Sequence, residues 1–556
     1  MLPPFLFFLA LTGLFAGTRA DLIIRGGPIY TVDPANRVVE AVAVKSGRVL
    51  AAGSLTEIDR YRGKHTRVLE LAGGCAYPGF VDSHAHLAGL GDSLEILDLK
   101  GLDSPEQVLA RVGQAAAETP PGGWIRGRGW DQNRWPGREY PDRAGLDRVA
   151  GDHPVLLTRV DGHAAWVNTK ALELAGLAGP LPRIEGGEIL TGPSGRPTGI
   201  LVDNAIDRVR RVMPEAGPED IARRLKKAFA CCLEAGLTEV HEAGVGPLAL
   251  EVYRGLQRRG ALPVRVWAML EGEEQWLEKT LRRGVCLDKT GFLTVRAVKM
   301  YADGALGSRG AWLLEPYQDR SDTCGLSLTD RGTLERVARL SARHGFQMCT
   351  HAIGDRANRE VLDVYERVLA DFPDGRSRRF RIEHAQVLNA ADLPRFARLG
   401  VLPSMQPTHC TSDMSWAVDR LGPARVRLAY AWRSLIEAGS LVPSGSDFPI
   451  EGVNPLLGFY AAITRQDLDG HPPGGWQPEQ TLTREQALRS MTVWAAYAGF
   501  QERDKGSLEP GKWADLTVLD RDIMTVSAAE IPNARVLWTL VAGRVAYSNP
   551  TSEDRN

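Results

Sequence analysis

The chain runs to 556 residues, too long for one small domain, and 44% hydrophobic with 24% charged residues suits a globular protein with a large buried core. Its 67 Lys and Arg against 68 Asp and Glu give a formal net charge of −1, with a pI near 6.9. That balance offers no footprint for nucleic acid or an anionic membrane surface and leaves a small molecule as the expected partner.

In chain order the first segment is "MLPPFLFFLALTGLFAGTRA", an apolar block too short for a comfortable membrane span and closed by small residues before Asp21. We read residues 1–20 as a signal peptide cut after Ala20, which places the mature protein in the periplasm or outside the cell with no stable membrane span. No Lys or Arg precedes the apolar block, so the alternative is an uncleaved membrane anchor. Seven cysteines without Cys-x-x-Cys spacing form no obvious disulfide framework, and the compartment rests on the leader alone.

Residues 21–77, beginning "DLIIRGGPIYTVDPANRVVEAVAVKSGRVLAAGS", alternate short β-branched runs with Gly, Asn and Pro turns, the pattern of a small antiparallel sheet. Residues 501–556 repeat it in "KGSLEPGKWADLTVLDRDIMTV" and "ARVLWTLVAGRVAYS". Between them, residues 78–500 alternate helical stretches such as "EDIARRLKKAFACCLEAG" and "RGTLERVARLSARHG" with short apolar strands. This is the βα rhythm of an α/β protein, either a parallel barrel or a doubly wound sheet.

The chemistry starts at "PGFVDSHAHL". Strand side chains alternate faces, so His84 and His86 point the same way and form a pincer suited to a zinc-type ion, with Asp82 as a candidate partner for an imidazole N–H. Further along, apolar strands end near Lys299, His351, His384, His409 and Asp447, spaced 25 to 52 residues apart. That spacing fits βα units, and in a (β/α)8 barrel the strand ends converge on one mouth. Singly, each histidine also reads as a satisfied core residue and Asp447 as a turn or cap aspartate. Lys299 on a buried strand requires a paired carboxylate, such as Asp303, or a modification that removes its charge.

Taken together, "GFVDSHAHL", "VKMYADGALGSR", "THAIGDRA", "IEHAQV", "SMQPTH" and "GSDFPI" resemble the amidohydrolase superfamily, specifically amidohydrolase family 3, the YtcJ-like metal-dependent hydrolases. The similarity extends from about residue 21 to about 548. It implies a distorted (β/α)8 TIM barrel, a composite β-sandwich from both chain ends, and an insertion at about residues 100–205 over the barrel mouth. It also implies His84, His86, His351, His384 and Asp447 as ligands of one or two divalent ions, zinc by type. A carboxylated Lys299 would bridge a binuclear site; in the mononuclear alternative it stays an amine.

The chemistry so implied is hydrolysis of an amide or other non-peptide C–N bond by a metal-activated water, with Asp447 moving the proton. The alternatives are a heterocycle deaminase or an exported metal-binding protein without turnover. In the insertion, "GGWIRGRGWDQNRW" and "VDGHAAWVN" supply Trp130, Asp131 and His163. These, with His409, are candidates to bind substrate, unless the tryptophans simply pack the insertion.

Overall fold

The computed structural model describes residues 18–550 apart from 161, 163, 185, 186 and 273. Most of the expected signal peptide therefore lies outside the described residues. Its last residue, Ala20, is buried and donates its N–H to the Tyr61 carbonyl at 2.8 Å. Among the described residues no helix is long and apolar enough to cross a membrane.

The chain forms two compact units, one of residues up to Leu87 together with those from Ala228 onward, the other Ala88–Lys227. In the first, both chain ends build one eight-stranded sheet. Its order is Arg544–Ser548, Val536–Val541, Leu516–Leu519, Cys75–Pro78, Leu22–Tyr30, Val38–Lys45, Arg48–Gly53, with Arg67–Glu70 also pairing Leu22–Tyr30. Alternating apolar residues from both ends, among them Ile24, Val42, Leu516, Val518 and Trp538, share one buried cluster.

The same unit holds a nearly closed parallel sheet. Phe80–Ala85, Leu237–Val245, Arg265–Glu271, Leu293–Tyr301, Gln347–Ala352, Arg381–His384 and Leu402–Ser404 pair in that order, each parallel to the next. Helices such as Arg331–Arg343 and Asp355–Ala370 connect them; Asp330 caps the first, and the second buries Val361, Leu362, Tyr365 and Val368.

The gap between Leu402–Ser404 and Phe80–Ala85 is bridged by an irregular segment at 443–447. Met405 N donates to Pro443 O and Gly445 N to Met405 O, both at 3.0 Å. On the other side Ser83 N donates to Ser444 O at 3.0 Å and Asp447 N to His84 O at 2.8 Å. A Cβ on Gly445 would lie 2.4 Å from His84 N, so only glycine allows this approach.

Charge is also buried away from the strand ends. Arg265, fully buried, donates from Nε to Asp515 Oδ2 at 2.7 Å and from Nη2 to Oδ1 at 3.0 Å, tying a strand of the parallel sheet to the carboxyl-terminal segment.

The second unit, wider than the 100–205 segment expected from sequence, contains a six-stranded sheet. Its order is Gly187–Thr191, Pro197–Asp203, Ala164–Val167, Val155–Arg159, Ile125–Trp130, Leu97–Asp98, accompanied by helices Pro105–Glu118 and Arg143–Ala150. Trp130, Trp135 and Trp166 pack together in its core with ring centroids 5.7 to 6.3 Å apart.

Candidate metal centre

The strand Phe80–Ala85 delivers the pincer that its period-two pattern predicts. The rings of His84 and His86 stand 5.6 Å apart and nearly perpendicular. His84 is fully buried, and its Nδ1 meets Glu383 Oε2 at 2.6 Å. That bond fixes the proton on Nδ1 and leaves Nε2 as a lone-pair donor with no hydrogen-bond partner. Nε2 lies 3.5 Å from Asp447 Oδ1, and His86 Nε2 lies 3.1 Å from the same oxygen.

Asp447 is held there by its own segment. Its N–H is bonded to His84 O, and its φ of 63° turns the side chain back toward the histidines. The neighbouring Ser446 donates from N at 3.1 Å and from its hydroxyl at 2.6 Å to Asp82, which also accepts from His84 N at 3.1 Å. Asp82 therefore anchors the closing segment. The imidazole partner expected of it is Glu383 instead, because Asp82 Oδ1 and Oδ2 are already taken by the backbone and the serine.

A second group faces the other oxygen of Asp447. His384 Nδ1 meets Gln406 Oε1 at 2.6 Å, and the His384 and His409 rings stack almost parallel at 5.8 Å. His409 Nε2 lies 3.5 Å from Asp447 Oδ2. Two sets of possible metal ligands result, His84–His86–Asp447 and His384–His409–Asp447, each with donor atoms within 4.8 Å of one another.

These residues fit a divalent ion. Metal–ligand distances of about 2.0–2.1 Å in a tetrahedral site put ligand atoms about 3.3–3.4 Å apart, close to the separations around Asp447. Buried imidazole nitrogens without hydrogen-bond partners are costly unless something else occupies their lone pairs.

Lys299 and His351 lie close by, both beside Tyr301. Lys299 is buried with its Nζ 4.2 Å from the centroid of the Tyr301 ring, and no carboxylate of the described residues is within 4 Å of it. Asp303, its candidate partner, instead accepts backbone N–H groups from Trp312, Ile353 and Gly354 at 2.8 to 2.9 Å. His351 Nε2 is 3.6 Å from Asp303 Oδ1 and its ring is 4.5 Å from that of His384. The His384 ring thus neighbours both that of His351, at 4.5 Å, and that of His409, at 5.8 Å.

The electrostatics follow from burial and from Arg381. Burial alone would raise the Glu383 carboxyl, but the adjacent Arg381 and His84 bring it down to about 2. Arg381 is fully buried, with Nε 2.9 Å from Glu383 Oε1. It donates further to Ser83 O, Ser404 Oγ and His241 Nδ1 at 2.6 to 3.1 Å. Because a guanidinium only donates, His241 Nδ1 accepts and its proton sits on Nε2. Burial opposes ionisation of Asp447 too, yet its bond to His86 and the surrounding histidines hold it well below the usual carboxylate range. His351 is pushed down to about 3 by burial, with Lys299 and His84 adding to it. Burial lowers Lys299 as well, against Glu383 and Asp447. Burial thus favours the neutral, metal-binding form of His84, His351 and His384. At His86 burial opposes the charge too, but the bond to Asp447 raises the imidazole above its ordinary value.

Three residues expected to bind substrate belong to the second unit. His163 lies outside the described residues. Trp130 is fully buried, donates Nε1 to Leu157 O at 2.8 Å and is enclosed by Trp135 and Trp166. It is a core residue rather than a pocket wall, since its large apolar ring and its one donor are both used within the unit. Asp131 caps the turn Gln132–Arg134 and accepts from Arg159 Nη2 at 2.7 Å. Sequence reasoning misses Glu383 and Gln406; adjacent Glu and His in one strand should face opposite ways, and Gln406 carries no metal-ligand signature.

Comparison with known proteins agrees with this geometry. The sequence profile described as "Amidohydrolase family" matches residues 67–547. The putative amidohydrolase YtcJ of Bacillus subtilis (strain 168) is 33% identical over 94% of this chain and 99% of its own length. The N-substituted formamide deformylase of Arthrobacter pascens is 28% identical over 96% of this chain and 99% of its own. A crystal structure of an uncharacterised metal-dependent hydrolase from Pyrococcus horikoshii OT3 is 31% identical with a TM-score of 0.77, covering 92% of this chain and 99% of the other. A histidine pincer faced by Asp447, on a nearly closed parallel sheet and within full-length similarity of this kind, makes the chain a YtcJ-like metal-dependent hydrolase of the amidohydrolase family.

Proposed function

We propose that the protein hydrolyses an amide or other non-peptide C–N bond of a small organic substrate, using one or two zinc-type ions. The observation that carries this reading is the convergence of His84, His86, His384 and His409 on the two oxygens of Asp447. A bound divalent ion would polarise the scissile carbonyl and acidify a water beside it. Asp447, ionised despite its burial, accepts the proton of the attacking water and returns it to the departing amine nitrogen. Glu383 and Gln406, bonded to Nδ1 of His84 and His384, would keep the Nε2 lone pairs of those rings available to an ion. The products are a carboxylic acid and an amine. Among amides, N-substituted formamides are the first class to try, because the relative from Arthrobacter pascens is named for that reaction.

Three finer readings belong with this proposal. Counting the 443–447 segment as an eighth strand gives a distorted (β/α)8 barrel, and the sheet from both chain ends would fold over as a sandwich. Lys299 suits carboxylation: buried, with its ammonium disfavoured and no carboxylate paired to it, its neutral amine adds carbon dioxide to become an anion. Carbon-13 NMR after incubation with labelled bicarbonate tests this, and absence of a carbamate signal rejects it. Residues 1–20 act as an export signal, which the mass of the mature protein from an exporting host checks; retention of Met1 rejects cleavage.

The function itself is tested by elemental analysis of purified protein together with an amide, formamide and ester panel. Metal content with turnover of a C–N substrate supports the reading. Metal-loaded protein inert across the panel favours a binding role without catalysis.

A further inference from the structure

We propose that the ring of Tyr301 is the wall on which this protein seats a flat aromatic group of its substrate, so that the compounds it favours carry an aromatic substituent beside the scissile C–N bond. The inference rests on the hydrolase reading above and deepens it by naming a substrate class.

The strand Leu293–Tyr301 supplies the placement. Period-two alternation puts Tyr301 on the same face as Lys299, whose Nζ stands 4.2 Å from the centre of the tyrosine ring. Tyr301 pairs in register with His351, and the two rings lie 5.6 Å apart. The phenol therefore sits at the strand end, one layer outward of Lys299 and beside the candidate metal centre.

Its surroundings differ from those of the inner tyrosines. Tyr77, Tyr317 and Tyr365 are fully buried, and their hydroxyls donate to Asp522, the Ala311 carbonyl and the Arg381 carbonyl at 2.7 to 3.0 Å. Tyr301 is 42% exposed at the end of a strand whose other residues are buried or half-buried. Its hydroxyl has no hydrogen-bond partner among the described residues. The strand end that this hydroxyl approaches is glycine: a Cβ on Gly244 would lie 3.7 Å from the hydroxyl oxygen, so no side chain from that position covers it.

Exposed apolar side chains are ordinary on a protein's outer surface, but this one lies on the inward face of the parallel sheet, next to the cluster of histidines. Lys299 stands over the ring and leaves the rest of it open. A tyrosine ring in that position offers offset or edge contact to a second ring, which an alkyl group cannot return. The unbonded hydroxyl remains as a donor to a polar atom on the same substituent.

The test uses the full chain loaded with zinc and two probes, acetohydroxamate and benzohydroxamate. Both chelate a divalent ion through the same two oxygens and differ only in methyl against phenyl. Calorimetry should show benzohydroxamate binding about tenfold tighter or more, and crystals of its complex should place the phenyl centroid about 4.5–7 Å from that of Tyr301. Y301F should keep the preference and Y301L should lower it by about three- to tenfold, with acetohydroxamate bound as before. Four results overturn the inference and leave the hydrolase reading standing: no preference in the unsubstituted protein, an undiminished preference in Y301L, a phenyl group seated elsewhere, or equal weakening of both probes in Y301L, the mark of a residue that only supports the centre. Failure of both probes to bind the zinc-loaded protein rejects the metal centre, and this inference with it.

Discussion

His84 and Glu383 meet at 2.6 Å across 299 residues of sequence, and through that contact the fully buried pair Glu383–Arg381 is joined to a candidate metal-ligand imidazole. A carboxylate on the far ring nitrogen fixes the tautomer and strengthens the near nitrogen as a ligand, while Arg381 keeps that carboxylate ionised inside the protein.

Glu383→Gln should therefore weaken metal binding by roughly 10–100-fold, because the amide keeps the shape but not the charge. Competition against a chelator of known affinity measures it. Unchanged affinity in a folded variant would remove Glu383 from this role.

Asp447→Asn should leave the melting temperature close to that of the unsubstituted protein and lower turnover by about 10²–10⁴-fold, the usual worth of a general base. The comparison is made at saturating metal, so that loss of a ligand is not mistaken for loss of the base. A near-normal rate would exclude Asp447 as the proton acceptor.

The pH dependence of metal-free stability can be worked out for His351, whose folded value of about 3 lies below the ordinary 6.5. Because the folded value is depressed, the unfolded chain binds the proton first as pH falls. The stability contributed by neutral His351 is full above about 6.5 and drains away toward 3. Asp82 and Asp303, both raised to about 7 by burial, run the other way between their unfolded value of 3.8 and 7. The readout is therefore the difference between the protein and H351A in chelator. Denaturant titrations should show that difference shrinking from about pH 7 to about pH 4; a constant difference would mean that burial does not hold this imidazole neutral.

Trp130→Ala should cost about 3–5 kcal/mol in the 88–227 unit, since it empties the centre of a three-tryptophan cluster. Denaturation followed by tryptophan fluorescence reports it. A variant of unchanged stability but altered substrate preference would return Trp130 to the pocket.

The candidate metal ligands are legible in the sequence where a periodic rule applies. A period of two sets His84 and His86 on one face, and strand ends spaced for βα units locate His384 and Asp447. The rule fails at "IEH", where Glu383 and His384 should face opposite ways. Glu383 follows the strand and points inward to His84, while His384 adopts φ 72° and swings to the Asp447 side. A left-handed backbone at a non-glycine residue leaves no mark in composition or spacing. Trp130 misleads for a different reason: an aromatic in a Gly-rich run reads alike as wall or core, and only its enclosure by Trp135 and Trp166 decides between them.

The segment at 443–447 has a consequence for the order in which this protein can be made. Asp82 leaves the ribosome early, but the serine that donates to it is 364 residues behind. Until that stretch emerges, the nascent chain carries a histidine pincer with no Asp447 opposite it and a carboxylate awaiting its donors. The centre is consequently a late product of translation, assembled only when more than three-quarters of the chain has been synthesised. Any truncation upstream of Pro443 yields a polypeptide with the histidine pincer and no Asp447 to face it.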